Sequence, residues 1–250
     1  MRIYHLNFAV DSETGFFIHN HISVYILFAM IIVAVIFYGI LYLLKRKVQL
    51  SCYEAFDKKI PLVVVSGILA ALFLSEGILE TISAFINVTL NIAIGAKIVS
   101  SFVTAAFFIM LLFRIYEKKP ADSLFSLCSL GFVIWSMSNI LTPFIVDTAV
   151  NTISEYTFTI LYYCALCAFS MAFAKFISGR KNIYGVFVTS SISVIFSGIL
   201  NIAPAVSALF GGEKAGWNFN ITTVISYGVF LFLIFVNFYC GKYIAEEKAE

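Results

Sequence analysis

Seven stretches of this chain are continuously apolar for about 20 residues or more, the length an α-helix needs to cross a hydrocarbon layer of about 30 Å at about 1.5 Å of rise per residue. They fall near residues 22–44, 61–85, 94–114, 123–146, 155–177, 183–206 and 220–241, joined by short polar segments. In hydrocarbon every backbone amide must find its partner within the protein, so only helices and closed barrels survive there. Barrel strands alternate apolar and polar over ~10 residues, and these runs do not alternate. The sequence therefore predicts an all-α polytopic membrane protein, a bundle of seven transmembrane helices forming one domain over residues 1–250. Composition agrees, with 61% hydrophobic and 12% charged residues and a mean hydropathy of +0.98, where soluble domains are about half apolar.

Basic residues in short loops are retained on the cytoplasmic side. Placing the amino terminus outside puts 13 Lys and Arg in cytoplasmic segments and leaves only Arg2, Lys97 and Lys214 outside. The expected topology is therefore amino terminus out and carboxyl terminus cytoplasmic, in a multi-pass protein of the cell membrane. The net charge of +2 reflects this loop bias and gives no reason to expect nucleic acid as a partner. Residues 1–20 lack a basic segment, a short apolar core and a cleavage site, so no signal peptide is expected. None of the five cysteines falls in an outer loop, and no disulfide framework is predicted.

Against this background the stretch "LSEGILETIS" at 74–83 stands out, because it places Glu76 and Glu80 inside the second apolar run. Residues at i, i+4, i+7 and i+11 share a helix face, so Glu76, Glu80, Ser83 and Asn87 form one polar stripe in the outer half of that helix. The sixth helix repeats the pattern with Ser190, Ser193, Ser197 and Asn201, and the fourth carries Ser129, Ser136 and Asn139 beside Trp135. The inner halves, as in "AAFFIMLLF" and "GVFLFLIFV", hold almost no hydrogen-bonding side chains. The asymmetry predicts a polar cavity open to the outside and closed by apolar packing below.

Glu80 lies about as far before the turn between helices two and three as Lys97 lies after it, so the two are expected to meet as a structural ion pair. A charge at a helix centre in the membrane costs about 2.5–3.5 kcal/mol, and pairing removes much of that. Glu76 is one turn deeper, where no second cation is expected. It therefore needs protonation, hydration, a ligand, or hydrogen bonds from Asn139, Asn201 or a tyrosine. Glu76, Glu80, Asn139 and Asn201 are the candidate ligand-binding residues, for a polar or cationic solute or a proton.

Catalytic patterns are missing from the sequence: no HExxH, GxSxG, GxGxxG or P-loop lysine motif occurs, and no histidine lies within a span. No enzymatic activity and no cofactor are expected. His19 and His21 flank Asn20 at the mouth of the first helix, but side chains two apart on a helix diverge, so no metal site is predicted. Cys164 and Cys167 make a CxxC on an apolar helix, without the polar surroundings of a reactive thiolate, and are expected to pack. The last helix has no interior lysine for a retinal Schiff base, and "FRIYEKK" at the end of helix three lacks the acidic-Arg-Tyr triplet of G-protein-coupled receptors.

The segments "WSMSNI", "NTISEYTFTILYY" and "FAKFISGRK", in helices four to six, resemble a family of small uncharacterised bacterial multi-span membrane proteins. The resemblance implies a freestanding multi-span protein and carries no activity. Two roles then compete. One is a carrier or ligand-binding protein with an outward polar cavity. The other is a sensor or accessory subunit whose cytoplasmic loops and tail "GKYIAEEKAE" contact a separate cytoplasmic or membrane partner protein. The lipid bilayer is a partner in both.

Overall fold

The structure, a computed structural model, describes residues 22–45, 56, 59–87, 92–117, 123–146, 153–179, 182–209 and 220–246. These form α1 (Ile22–Lys45), α2 (Ile60–Asn87), α3 (Ile92–Glu117), α4 (Ser123–Val146), α5 (Ile153–Ile177), α6 (Ile183–Ser197), a π-helical turn (Gly198–Ile202), α7 (Ala203–Leu209) and α8 (Ile221–Glu246). With α6, the π turn and α7 counted as one span, seven helical segments are long and apolar enough to cross a membrane. They suggest a multi-pass membrane protein. The His19 and His21 pair and the loop bearing Cys52 lie outside the described residues, as does the side chain of Asn87.

Several helix ends follow from local chemistry. Pro61 sits in the first turn of α2, where its missing N–H would have had no intrahelical acceptor. Asn182 caps α6 by accepting from Gly185 N at 2.9 Å. Gly179, just beyond α5, has φ +86°, a left-handed conformation that suits a residue without a side chain. Two helices outrun their apolar cores. α3 continues through Arg114 to Glu117 and α8 continues to Glu246, because charge at an interface does not break a helix that hydrocarbon has already imposed. A proline within a helix removes one backbone donor and crowds the carbonyl four residues back. α4 passes through Pro143 to Val146. In the sixth span the π turn lies directly before Pro204, with Ala203 N–H bonded to Gly198 O five residues back. The wider turn gives room where the proline ring would otherwise press on the Leu200 carbonyl.

α2, α3, α4, α5, the sixth span and α8 pack in sequence order around a ring, closed by α8 against α2, while α1 lies outside against α6. The ring is filled with aromatic side chains. Phe73, Phe107, Phe108, Phe132, Trp135, Phe169, Phe173 and Phe232 are all fully buried. Phe73 meets the Trp135 ring edge-on at 4.9 Å, Phe108 meets Phe232 at 5.3 Å, and Phe169 stacks on Phe173 at 5.4 Å. Such pairs each add about 0.5–1.5 kcal/mol beyond their burial. α3 and α4 approach closely at Gly131, where an added Cβ would stand 2.6 Å from Val103 Cγ1 and 3.0 Å from the backbone N of Thr104. The Thr104 backbone cannot swing aside as a side chain would. Gly131→Ala is therefore expected to cost about 1–3 kcal/mol, seen as a lower thermal midpoint in detergent.

Candidate functional site

Glu76 projects from α2 into the ring, immediately above the aromatic filling, and is wholly buried. Three helices supply its partners. Trp135 Nε1–H of α4 donates to Oε2 at 2.7 Å, Ser101 Oγ of α3 lies 3.1 Å from Oε2, and Thr222 Oγ1 of α8 donates to Oε1 at 3.2 Å. No second cation was expected at this depth, and the cation that reaches Glu76 is the one that also pairs with Glu80. Lys97 Nζ lies 3.6 Å from Glu76 Oε1 as well as 2.6 Å from Glu80 Oε1, because its long flexible stem spans the turn that separates the two acids.

Two carboxyl groups thus share one ammonium. With all three ionised the set holds one negative charge in excess, and the shorter contact assigns Lys97 chiefly to Glu80. Side-chain exposure falls from 27% at Glu80 to 10% at Lys97 and 0% at Glu76, so the least neutralised acid is also the most enclosed. Burial of an unneutralised carboxylate is unfavourable unless donors surround it, and here they do.

Ser101 adds a second property. Its single hydroxyl proton has two acceptors in reach, Glu76 Oε2 and the Lys97 carbonyl at 2.8 Å. That carbonyl also accepts from Ser100 Oγ at 3.0 Å, so it does not depend on Ser101. With Glu76 ionised, Ser101 donates to it. With Glu76 protonated on Oε2, the carboxyl donates to Ser101 Oγ and the serine turns its proton to the Lys97 carbonyl. Both protonation states keep a complete set of hydrogen bonds.

Asn139 and Asn201 are placed differently from the expectation. Asn139 Nδ2 donates to the Trp135 carbonyl at 2.9 Å and Asn201 Nδ2 to Ser197 Oγ at 3.0 Å, each one turn back on its own helix. Neither amide is hydrogen-bonded to Glu76. Asn201 instead lies in the π turn, and its carbonyl accepts from Tyr227 Oη of α8 at 3.0 Å. On α5, Tyr163 packs edge-on against the Trp135 ring at 5.8 Å. The Tyr162 hydroxyl is buried between Ser197 and Ser226 without meeting either in hydrogen-bonding geometry, the one such side-chain atom among the described residues.

The helix halves read as almost free of hydrogen-bonding side chains also hold more polarity than expected. Asn237 Nδ2 of α8, with two hydrogens to donate, has three acceptors in reach: Ser190 Oγ at 3.0 Å, the Phe187 carbonyl at 3.2 Å and Ser191 Oγ. Asn237 sits within "LIFVNFYC", where the surrounding apolar run conceals it; Ser190 was assigned to the outer stripe. Among the described residues no group of three or more His, Cys, Asp or Glu is arranged to hold a metal ion. Cys164 is exposed on the helix surface and Cys167 half-buried, both as free thiols.

Comparison with known proteins gives no match to a family model, to a curated protein or to a solved structure.

Proposed function

We propose that this protein is a proton-binding carrier of the membrane, with Glu76 as the group that takes up and releases the proton. The observation that carries this reading is the shared lysine: two acids and one ammonium in an enclosed site leave one charge to be neutralised. A metal cation or an organic cation fits the site poorly. Coordination needs oxygen lone pairs on several sides; the Ser101 and Thr222 hydroxyls offer some, but the Trp135 N–H and the Lys97 ammonium facing Glu76 offer none, and the ammonium repels a second cation. A proton needs only the carboxyl oxygen itself and a neighbour able to reverse its hydrogen bond, and Ser101 is that neighbour. Among the described residues the charged groups beside Glu76 are Glu80 and Lys97, with the Tyr163 phenol against the Trp135 ring.

Carriage requires the site to communicate with both membrane faces. Glu80 and Lys97 provide the more exposed approach, and the aromatic filling below Glu76 closes the other side. The π turn that contains Asn201 is the natural place for the sixth span to bend, since such turns hold the helix ladder at a local widening. The test is acid–base infrared difference spectroscopy on the purified protein, together with proton uptake followed by a pH indicator. Wild type should show a protonated-carboxyl band and one proton exchanged per chain that Glu76→Gln lacks while keeping its helical spectrum. An unchanged band and uptake in Glu76→Gln would remove Glu76 from this role.

A further inference from the structure

A groove of about 420 Å³ opens on the outer surface of the bundle between α1, α5 and α6, at the end where the basic loops lie. Its lining is layered along the helix axes. Tyr42, Lys175 and Asn182 stand at the end, and Gly39, Ala172 and Val188 lie deeper in the apolar part. Tyr42 Oη accepts from Asn182 Nδ2 at 3.3 Å, tying α1 to α6 across the mouth. Further along, Phe28 stacks on Phe158 at 5.7 Å and ties α1 to α5. α1 is therefore held near two points, and beside Gly39 an added Cβ would meet nothing within 4 Å. Lys175 is exposed, and no acidic side chain among the described residues lies within ion-pairing distance of it.

We propose that this groove binds one anionic phospholipid, its phosphate at Lys175, Tyr42 and Asn182 and an acyl chain along Gly39 and Ala172. The order of groups matches that of the lipid, with charge at the interface and hydrocarbon below it. The groove gives an extended hydrocarbon chain room along the roughly 10 Å rise from Ala168 to Lys175, and the single charge on its lining, the exposed Lys175 ammonium, complements a phosphate. A cation at the membrane surface favours an anionic lipid by about 1 kcal/mol, about fivefold in affinity. The site lies at the opposite end of the bundle from Glu76 and does not depend on the proton reading.

The test uses the purified full chain in detergent and follows its thermal midpoint against added phosphatidylglycerol, phosphatidylcholine and inorganic phosphate. Phosphatidylglycerol should raise the midpoint at about fivefold lower concentration than phosphatidylcholine, and phosphate alone should leave it unchanged. Lys175→Gln, at an exposed position that does not support the fold, should remove the preference between the two lipids. Gly39→Leu fills the empty space beside α1 and should abolish the response to both. Equal action of the two lipids on wild type, wild-type responses from the two variants, or full stabilisation by phosphate alone would each overturn the proposal.

Discussion

Lys97→Met should be among the most destabilising single substitutions in this protein, lowering unfolding stability by about 3–5 kcal/mol, the usual cost of stripping one partner from a buried charge set. The mechanism is specific. Methionine matches the lysine stem in length, so packing against α2 is kept, while Glu76 and Glu80 lose the ammonium that lies 3.6 and 2.6 Å from them. Two carboxyl groups one helical turn apart then face each other without a counter-charge. A second substitution distinguishes charge from shape. In Lys97→Met combined with Glu76→Gln, the buried acid is gone and Glu80, 27% exposed, reaches its own solvation, so much of the lost stability should return. Chemical unfolding in mixed micelles measures both. A Lys97→Met variant as stable as wild type would show that the lysine neutralises nothing of consequence.

The contrast between the Glu80–Lys97 contact and the surroundings of Glu76 shows what the sequence discloses here and what it conceals. The seven spans are visible because hydrocarbon enforces helix over the whole of each apolar run. The meeting of Glu80 with Lys97 follows from arithmetic across one short turn, since consecutive antiparallel helices place residues equidistant from the turn at one depth. The same arithmetic places Ser101 opposite Glu76, but Thr222 lies 146 residues away, and no periodicity within a single helix says that α8 closes the ring against α2. Trp135 was visible only as an aromatic neighbour of Asn139. Its N–H becomes decisive only once α4 is turned to face α2, an orientation in which Gly131 lets α3 and α4 approach closely. Asn139 and Asn201 attract attention as amides in an apolar run, yet an amide in a helix can satisfy itself one turn back, and both do so. Asn237 escaped for the opposite reason, because one amide amid phenylalanines alters the hydropathy of a 20-residue window very little.

Trp135→Ala should cost about 3–5 kcal/mol, since it empties the centre of the aromatic filling where Phe73, Phe132 and Tyr163 all contact the indole. Trp135→Phe keeps most of that packing and removes the N–H, so it isolates the 2.7 Å bond to Glu76. A hydrogen bond to a charged acceptor is worth about 1.5–3 kcal/mol and one to a neutral acceptor about 0.5–1.5 kcal/mol. The coupling energy from a cycle of Trp135→Phe with Glu76→Gln therefore reports the charge on Glu76. The sign is fixed: the bond is strongest when the carboxylate is ionised, so the coupling should be large at high pH and fall toward the neutral range as acid is added. The pH at which it falls should coincide with that of the proton uptake lost in Glu76→Gln. A coupling that stays the same across the pH range over which the protein remains folded would mean that Glu76 keeps one protonation state throughout, and it would then be a fixed joint between α2, α3, α4 and α8 instead of a proton carrier.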